Sequence, residues 1–109
     1  MKSSNQIVVY GSYGYTGKLI VNECCAKNLD VVLAGRNEEQ LQLQSKQSGY
    51  PYQVVESNDV EGLKKLLTPA GIVIHCGGPF RYTAQAMAEA CIATNTHYTD
   101  ITGEYLVFE

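Results

Sequence analysis

Gly11, Gly14 and Gly17 stand three apart in Gly11-Ser12-Tyr13-Gly14-Tyr15-Thr16-Gly17, directly after the apolar run Ile7-Val8-Val9-Tyr10. Glycine reaches positive φ without steric penalty, so Gly11 suits a sharp turn from a strand into a helix. The missing Cβ at Gly14 lets backbone approach a pyrophosphate, and Gly17 lets the helix pack close to the strand. The first free N–H groups of that helix, at the positive end of its dipole, then face the phosphates. This spacing differs by one position from the G-x-G-x-x-G dinucleotide pattern, but it sits in the strand–turn–helix setting that pattern requires. The competing reading is a glycine-rich turn in some other α/β domain.

About 20 residues past such a turn, an NAD site places Asp or Glu to accept from the adenosine 2′-hydroxyl. Here that position holds Ala34-Gly35-Arg36-Asn37. A guanidinium suits a 2′-phosphate through charge-assisted, bidentate bonds, whereas a carboxylate would repel it. NADP is therefore the expected cofactor and NAD the alternative. The plainer reading of Arg36 is a solvated arginine at a helix start, where the dipole disfavours a cation. Glu56, at the end of a third apolar run, either accepts from the adenine amino group or is an ordinary exposed carboxylate.

The elements that must position these residues alternate regularly. Gly17, Ile20, Val21, Cys24 and Cys25 trace one helix face, and that helix stops near Asn28. Val31-Val32-Leu33-Ala34 is an apolar run of the kind found in strands covered on both faces. Asn37 can cap a helix from Glu38 to Ser48, with Gln40 as the reciprocal member of a capping box. Leu41-Gln42-Leu43-Gln44 alternates with period two, so only the cap and the flanking strands argue for helix there. Tyr52-Gln53-Val54-Val55-Glu56 reads as a third strand. Asn58 or Asp59 caps a short helix with Leu63, Leu66 and Leu67 on one face. Ile72-Val73-Ile74-His75-Cys76 is a fourth strand, ended by Gly77-Gly78-Pro79. Residues 83–93 form a helix rich in alanine, and His97-Tyr98-Thr99-Asp100-Ile101 a fifth strand. The alternation predicts a three-layer, Rossmann-type, doubly wound parallel sheet in the order 3-2-1-4-5, stopping before the last strands of that fold. Ligands then bind where the order reverses, between strands 1 and 4, which sets residues 11–17 beside Cys76, Gly77, Gly78 and Pro79.

At 109 residues the chain is one domain, residues 1–109. Its net charge of −3 gives no reason to expect nucleic acid or anionic membrane as a partner. No apolar run reaches the ~18 residues of a membrane span, and the start lacks a secretory signal's apolar core. The four cysteines show no C-x-x-C spacing and read as small apolar thiols in a reducing compartment, with the cytoplasm as the expected address. With two histidines and no clustered acids, no metal site is expected. No Tyr is followed by Lys four positions later, so the Tyr-x-x-x-Lys acid–base pair is absent and no catalytic residue is assigned. His75, inside a strand, reads as a core histidine and His97 as structural. Asp100 reads as a helix cap or, with Glu104, as a substrate contact.

Four segments together resemble one known family: Gly11-Ser12-Tyr13-Gly14-Tyr15-Thr16-Gly17, Leu33-Ala34-Gly35-Arg36-Asn37, Cys76-Gly77-Gly78-Pro79-Phe80 and Thr96-His97-Tyr98-Thr99-Asp100-Ile101-Thr102-Gly103-Glu104. Their order and spacing are similar to those of the saccharopine dehydrogenase-like oxidoreductases, which include the trans-acting enoyl reductases. The resemblance implies an N-terminal NADP- or NAD-binding Rossmann domain of a longer protein, with a substrate and dimerisation domain following. By position, the glycine turn holds the pyrophosphate and Arg36 the adenosine ribose or its phosphate. Glu56 lies near the adenine, and Gly77, Gly78 and Pro79 border the nicotinamide ribose. Two departures stand out: Tyr13 replaces a small Ser or Thr, and Thr83-Ala84-Gln85-Ala86 replaces a common Tyr-Gly-x-Pro.

The expected function is NADP(H) binding for hydride transfer, with the substrate domain outside this chain and no turnover by these residues alone. The substrate, a small molecule or a lipid, is not legible. A module that senses NAD(P) without catalysis is the alternative, and a scaffold with an empty cleft is a third.

Overall fold

A computed structural model describes residues 4–56, 58–76 and 80–100. Strands β1 (Ile7–Tyr10), β2 (Val31–Gly35), β3 (Tyr52–Val54), β4 (Ile72–His75) and β5 (His97–Asp100) alternate with helices α1 (Tyr15–Ala26), α2 (Glu38–Ser48), α3 (Val60–Leu67) and α4 (Phe80–Thr94). All pairings are parallel, in the order β3-β2-β1-β4-β5. The predicted topology is the observed one.

The apolar runs are continuous because both faces of the sheet are covered. One layer packs Val9, Val31 and Leu33 of the strands against Val21 and Cys24 of α1 and Leu41 of α2. The opposite layer packs Val8, Tyr10, Ala34 and Val73 against Leu63, Leu66 and Leu67 of α3 and Met87, Ala90 and Cys91 of α4. Val8, Val9, Val31, Leu33 and Val73 are completely buried. Each such side chain contributes about 1.5–3 kcal/mol of transfer free energy.

Several boundaries move. Strand β3 is shorter than the pattern suggests, and α4 begins three residues earlier than expected. Cys25, assigned to the buried face of α1, is exposed, so that face is carried by Gly17, Val21 and Cys24. The period-two stretch in α2 resolves as helix because Leu41 and Gln44 face inward while Leu43 is exposed. His75 is fully buried, with Nδ1 3.2 Å from the Tyr98 hydroxyl and its ring edge-on to Tyr10. His97 is exposed, and its backbone N–H donates to Gly71. Residues 101–104, the last four of the nine in the final family-like segment and including Glu104, lie outside the described residues.

Candidate dinucleotide site

The carboxyl ends of β1, β2 and β4 are tied together by backbone. Gly11 donates to the Ala34 carbonyl at 2.8 Å, and Cys76 donates to the Tyr10 carbonyl at 2.7 Å. The glycine turn and Cys76 therefore stand on either side of the switch point, as the sequence predicts. Gly77, Gly78 and Pro79 lie outside the described residues.

Each turn glycine has its own reason. Gly11 has φ 79°, a conformation that side chains avoid. A Cβ on Gly17 would strike the Gly11 carbonyl oxygen and come within 2.8 Å of Ser12 backbone, so α1 can approach β1 only with glycine there. Gly14 needs glycine for neither purpose. Its φ is −72°, and a Cβ would meet only the Gly11 oxygen at 3.6 Å, an ordinary contact. What its bare backbone provides is open space in front of α1.

That space faces unpaired donors. Asn37 caps α2 by accepting the Gln40 N–H at 3.1 Å, and Asp59 caps α3 by accepting the Gly62 N–H at 3.0 Å. Helix α1 has Gly14 at its N-cap position and no side-chain cap. Among the described residues, the N–H groups of Tyr13, Tyr15, Thr16 and Gly17 meet no protein acceptor. A helix start left this way is suited to an anion, through both its free donors and its dipole.

Ser12 departs from the expectation that it contacts the cofactor. Its side chain is fully buried, and its Oγ donates to Gln44 Oε1 at 2.6 Å. The Gln44 amide returns a bond to the Ser12 carbonyl at 2.7 Å. Its own N–H points at the Ala34 carbonyl, 3.4 Å away. Ser12 therefore braces the turn from beneath. Sequence reasoning missed Gln44: its partner lies 32 residues away, and the period-two pattern of Leu41-Gln42-Leu43-Gln44 gives no local sign that it faces inward.

Tyr15 is exposed and Thr16 half-buried at the start of α1. Arg36 is exposed on the turn from β2 into α2, the position expected for a ribose or phosphate contact. Glu56 is exposed two residues beyond β3, at the same edge of the sheet. Tyr13 reaches across to the β2 turn, where its hydroxyl accepts the N–H of Asn37 at 3.1 Å and of Arg36 at 3.3 Å. The expected reciprocal half of the capping box is thus displaced: the Asn37 N–H pairs with Tyr13, not with Gln40. Cys76 is half-buried against the α1/α2 layer, and burial pushes its thiol up to about 11. Among the described residues, no group of three or more His, Cys, Asp or Glu could hold a metal, and all four cysteines are free.

A parallel sheet in this order, with an uncapped glycine-turn helix at its switch point, defines a Rossmann-type dinucleotide-binding domain. Residues 7–107 match the family profile described as the saccharopine dehydrogenase NADP binding domain. The chain belongs to that family, and NADP is its dinucleotide. It is 28% identical to a "probable mitochondrial saccharopine dehydrogenase-like oxidoreductase" of Arabidopsis thaliana, over 90% of this chain and 25% of that protein. It is also 28% identical to a trans-acting enoyl reductase of Mycobacterium ulcerans, over 93% of this chain and 26% of that protein. Apo saccharopine dehydrogenase (L-Glu forming) from Saccharomyces cerevisiae shares the fold with a TM-score of 0.78 at 21% identity, covering 89% of this chain and 21% of that one. The chain thus spans about a quarter of the length of the curated relatives it matches.

Proposed function

We propose that these residues bind and orient NADP(H) for an oxidoreductase whose substrate is held by polypeptide outside this chain. The observation that carries this reading is the uncapped start of α1, with four free amides above the bare backbone of Gly14. The amides of Tyr13, Tyr15, Thr16 and Gly17 hold the pyrophosphate, while Gly11, Ser12 and Gly17 fix the turn that presents them. Arg36 pairs with the 2′-phosphate, Glu56 borders the adenine, and Cys76 with Gly77, Gly78 and Pro79 borders the nicotinamide ribose. When bound, the nicotinamide supplies the hydride; the protein orients it and shields it.

Relatives named for enoyl reduction and for saccharopine dehydrogenase-like oxidation support a substrate that is either a lipid enoyl group or an amino-acid imine. A homodimer formed through that further polypeptide belongs to the same reading. Among the described residues, no helix is long and apolar enough to cross a membrane. Four free thiols fit a reducing compartment, for which we take the cytoplasm.

Calorimetric titration of the complete protein with NADP⁺ and NAD⁺ tests the cofactor site. Arg36→Ala is expected to lose about 1.5–3 kcal/mol for NADP⁺, the range for hydrogen bonds to charged groups, with little change for NAD⁺. Equal losses for both would remove Arg36 from the 2′-phosphate.

A further inference from the structure

Resting on the reading that residues 11–17 and Arg36 hold NADP, we propose that the Tyr13 phenol is a specificity-determining group that donates to the 2′-phosphate. Its ring lies across Gly35, where a Cβ would come within 2.6 Å of the ring carbon Cε2 and 3.0 Å of the hydroxyl oxygen. Glycine at position 35 therefore makes room for this ring. Seated there, the phenol oxygen accepts from the backbone of both Asn37 and Arg36. The two amides of the turn are thereby taken by the tyrosine and are not open to a ligand.

A phenol that accepts two hydrogen bonds has only its own hydrogen left to give. Among the described residues, no acceptor meets that hydrogen. Two donors on the oxygen polarise the O–H and strengthen it as a donor in turn. Tyr13 thus gathers the polarity of two backbone amides into one donor, on the same turn that carries the exposed Arg36 side chain. A neutral donor and a guanidinium at one place suit a phosphate monoester, because bonds to an ionised acceptor are roughly twice as strong as neutral ones. The neutral 2′-hydroxyl of NAD gains much less from the same pair. A small side chain at position 13 cannot reach the β2 turn, so here the tyrosine itself becomes part of the selectivity.

Tyr13→Phe keeps the ring on Gly35 and removes only the hydroxyl. Titrated in the complete protein, it is expected to weaken NADP⁺ binding roughly tenfold to a hundredfold and to leave NAD⁺ within about twofold. Gly35→Ala, which pushes the ring aside while keeping the hydroxyl, is expected to lose NADP⁺ selectively as well. Unchanged NADP⁺ affinity in Tyr13→Phe overturns the proposal. Tighter NADP⁺ binding overturns it too, by showing the phenol to be an obstruction. Equal losses for both cofactors would reduce Tyr13 to a support for the turn. If Arg36→Ala costs NADP⁺ alone while Tyr13→Phe costs nothing, only this inference fails. If wild type does not distinguish the cofactors and Arg36→Ala changes neither affinity, the underlying assignment fails first.

Discussion

Gln44 and Ser12 form a closed pair beneath the glycine turn, each giving and receiving one bond in a buried setting. Buried polar groups that lose a partner keep their desolvation cost, so the pair is worth more when one member is removed than its net contribution suggests. Gln44→Leu preserves volume but strands the Ser12 hydroxyl and carbonyl. Urea unfolding of this variant is expected to show a loss of about 1–3 kcal/mol. NADP⁺ and NAD⁺ should weaken together, since both use the turn that this pair braces. Selective loss of NADP⁺ would instead connect Gln44 to the 2′-phosphate. Arg36 was legible as a candidate because its charge and distance from the glycines carry a chemical meaning of their own. Gln44 was not, because its partner lies 32 residues away and no local pattern joins them. Tyr13 was legible as an anomaly only: its size says that a ring must sit near the phosphates, but not that it reaches the backbone of Arg36 and Asn37.

The helices make the same point through their starts. Asn37 and Asp59 serve α2 and α3 as ordinary caps; Asn37 was readable from residue type and spacing, whereas Asp59 was one of two candidates beside Asn58. Helix α1 has instead a glycine with extended backbone, φ −72° and ψ 174°, a geometry in which a side-chain cap is sterically allowed. The missing cap is therefore a property of the residue chosen and not of the fold. Gly14→Asp should satisfy one of the free amides from within and stabilise the helix by a few tenths of a kcal/mol relative to glycine. The same carboxylate would occupy the anion position and repel a diphosphate. Thermal unfolding is thus expected to hold or rise slightly while affinity for both cofactors falls at least tenfold. Stability and binding falling together would mean that Gly14 serves the backbone and not a ligand. Helix α2 shows where local pattern misleads. Leu41 and Leu43 invite a strand, and only tertiary contact turns Leu41 and Gln44 inward while leaving Leu43 in water.

Across the molecule, topology was the most readable property, because continuous apolar strands joined by amphipathic helices admit few arrangements. The sheet's two faces each carry their own core, and the cleft opens where β1 passes its helix to one face and β4 to the other. Cys76 lies at that seam, bonded through its N–H to Tyr10 and packed on the α1/α2 layer. Burial lifts its thiol from an ordinary 9.0 to about 11, so the folded protein holds this proton over a range in which the unfolded chain gives it up. The contribution to stability is complete below pH 9 and is lost as pH rises through about 11. Cys24 shifts in the same direction, first by burial and then through Cys25 and Glu23, and adds to the same alkaline loss. Urea unfolding across this interval should therefore show a falling midpoint in wild type and a shallower fall in Cys76→Ala. The slope remaining in that variant is shared by Cys24 and by Tyr50, whose phenol is pushed up to about 12 by burial and by the neighbouring Cys25, and it should flatten further in the double variant with Cys24→Ala. Parallel slopes in wild type and Cys76→Ala would mean that the seam between the two cores admits water freely enough to ionise the thiol without cost.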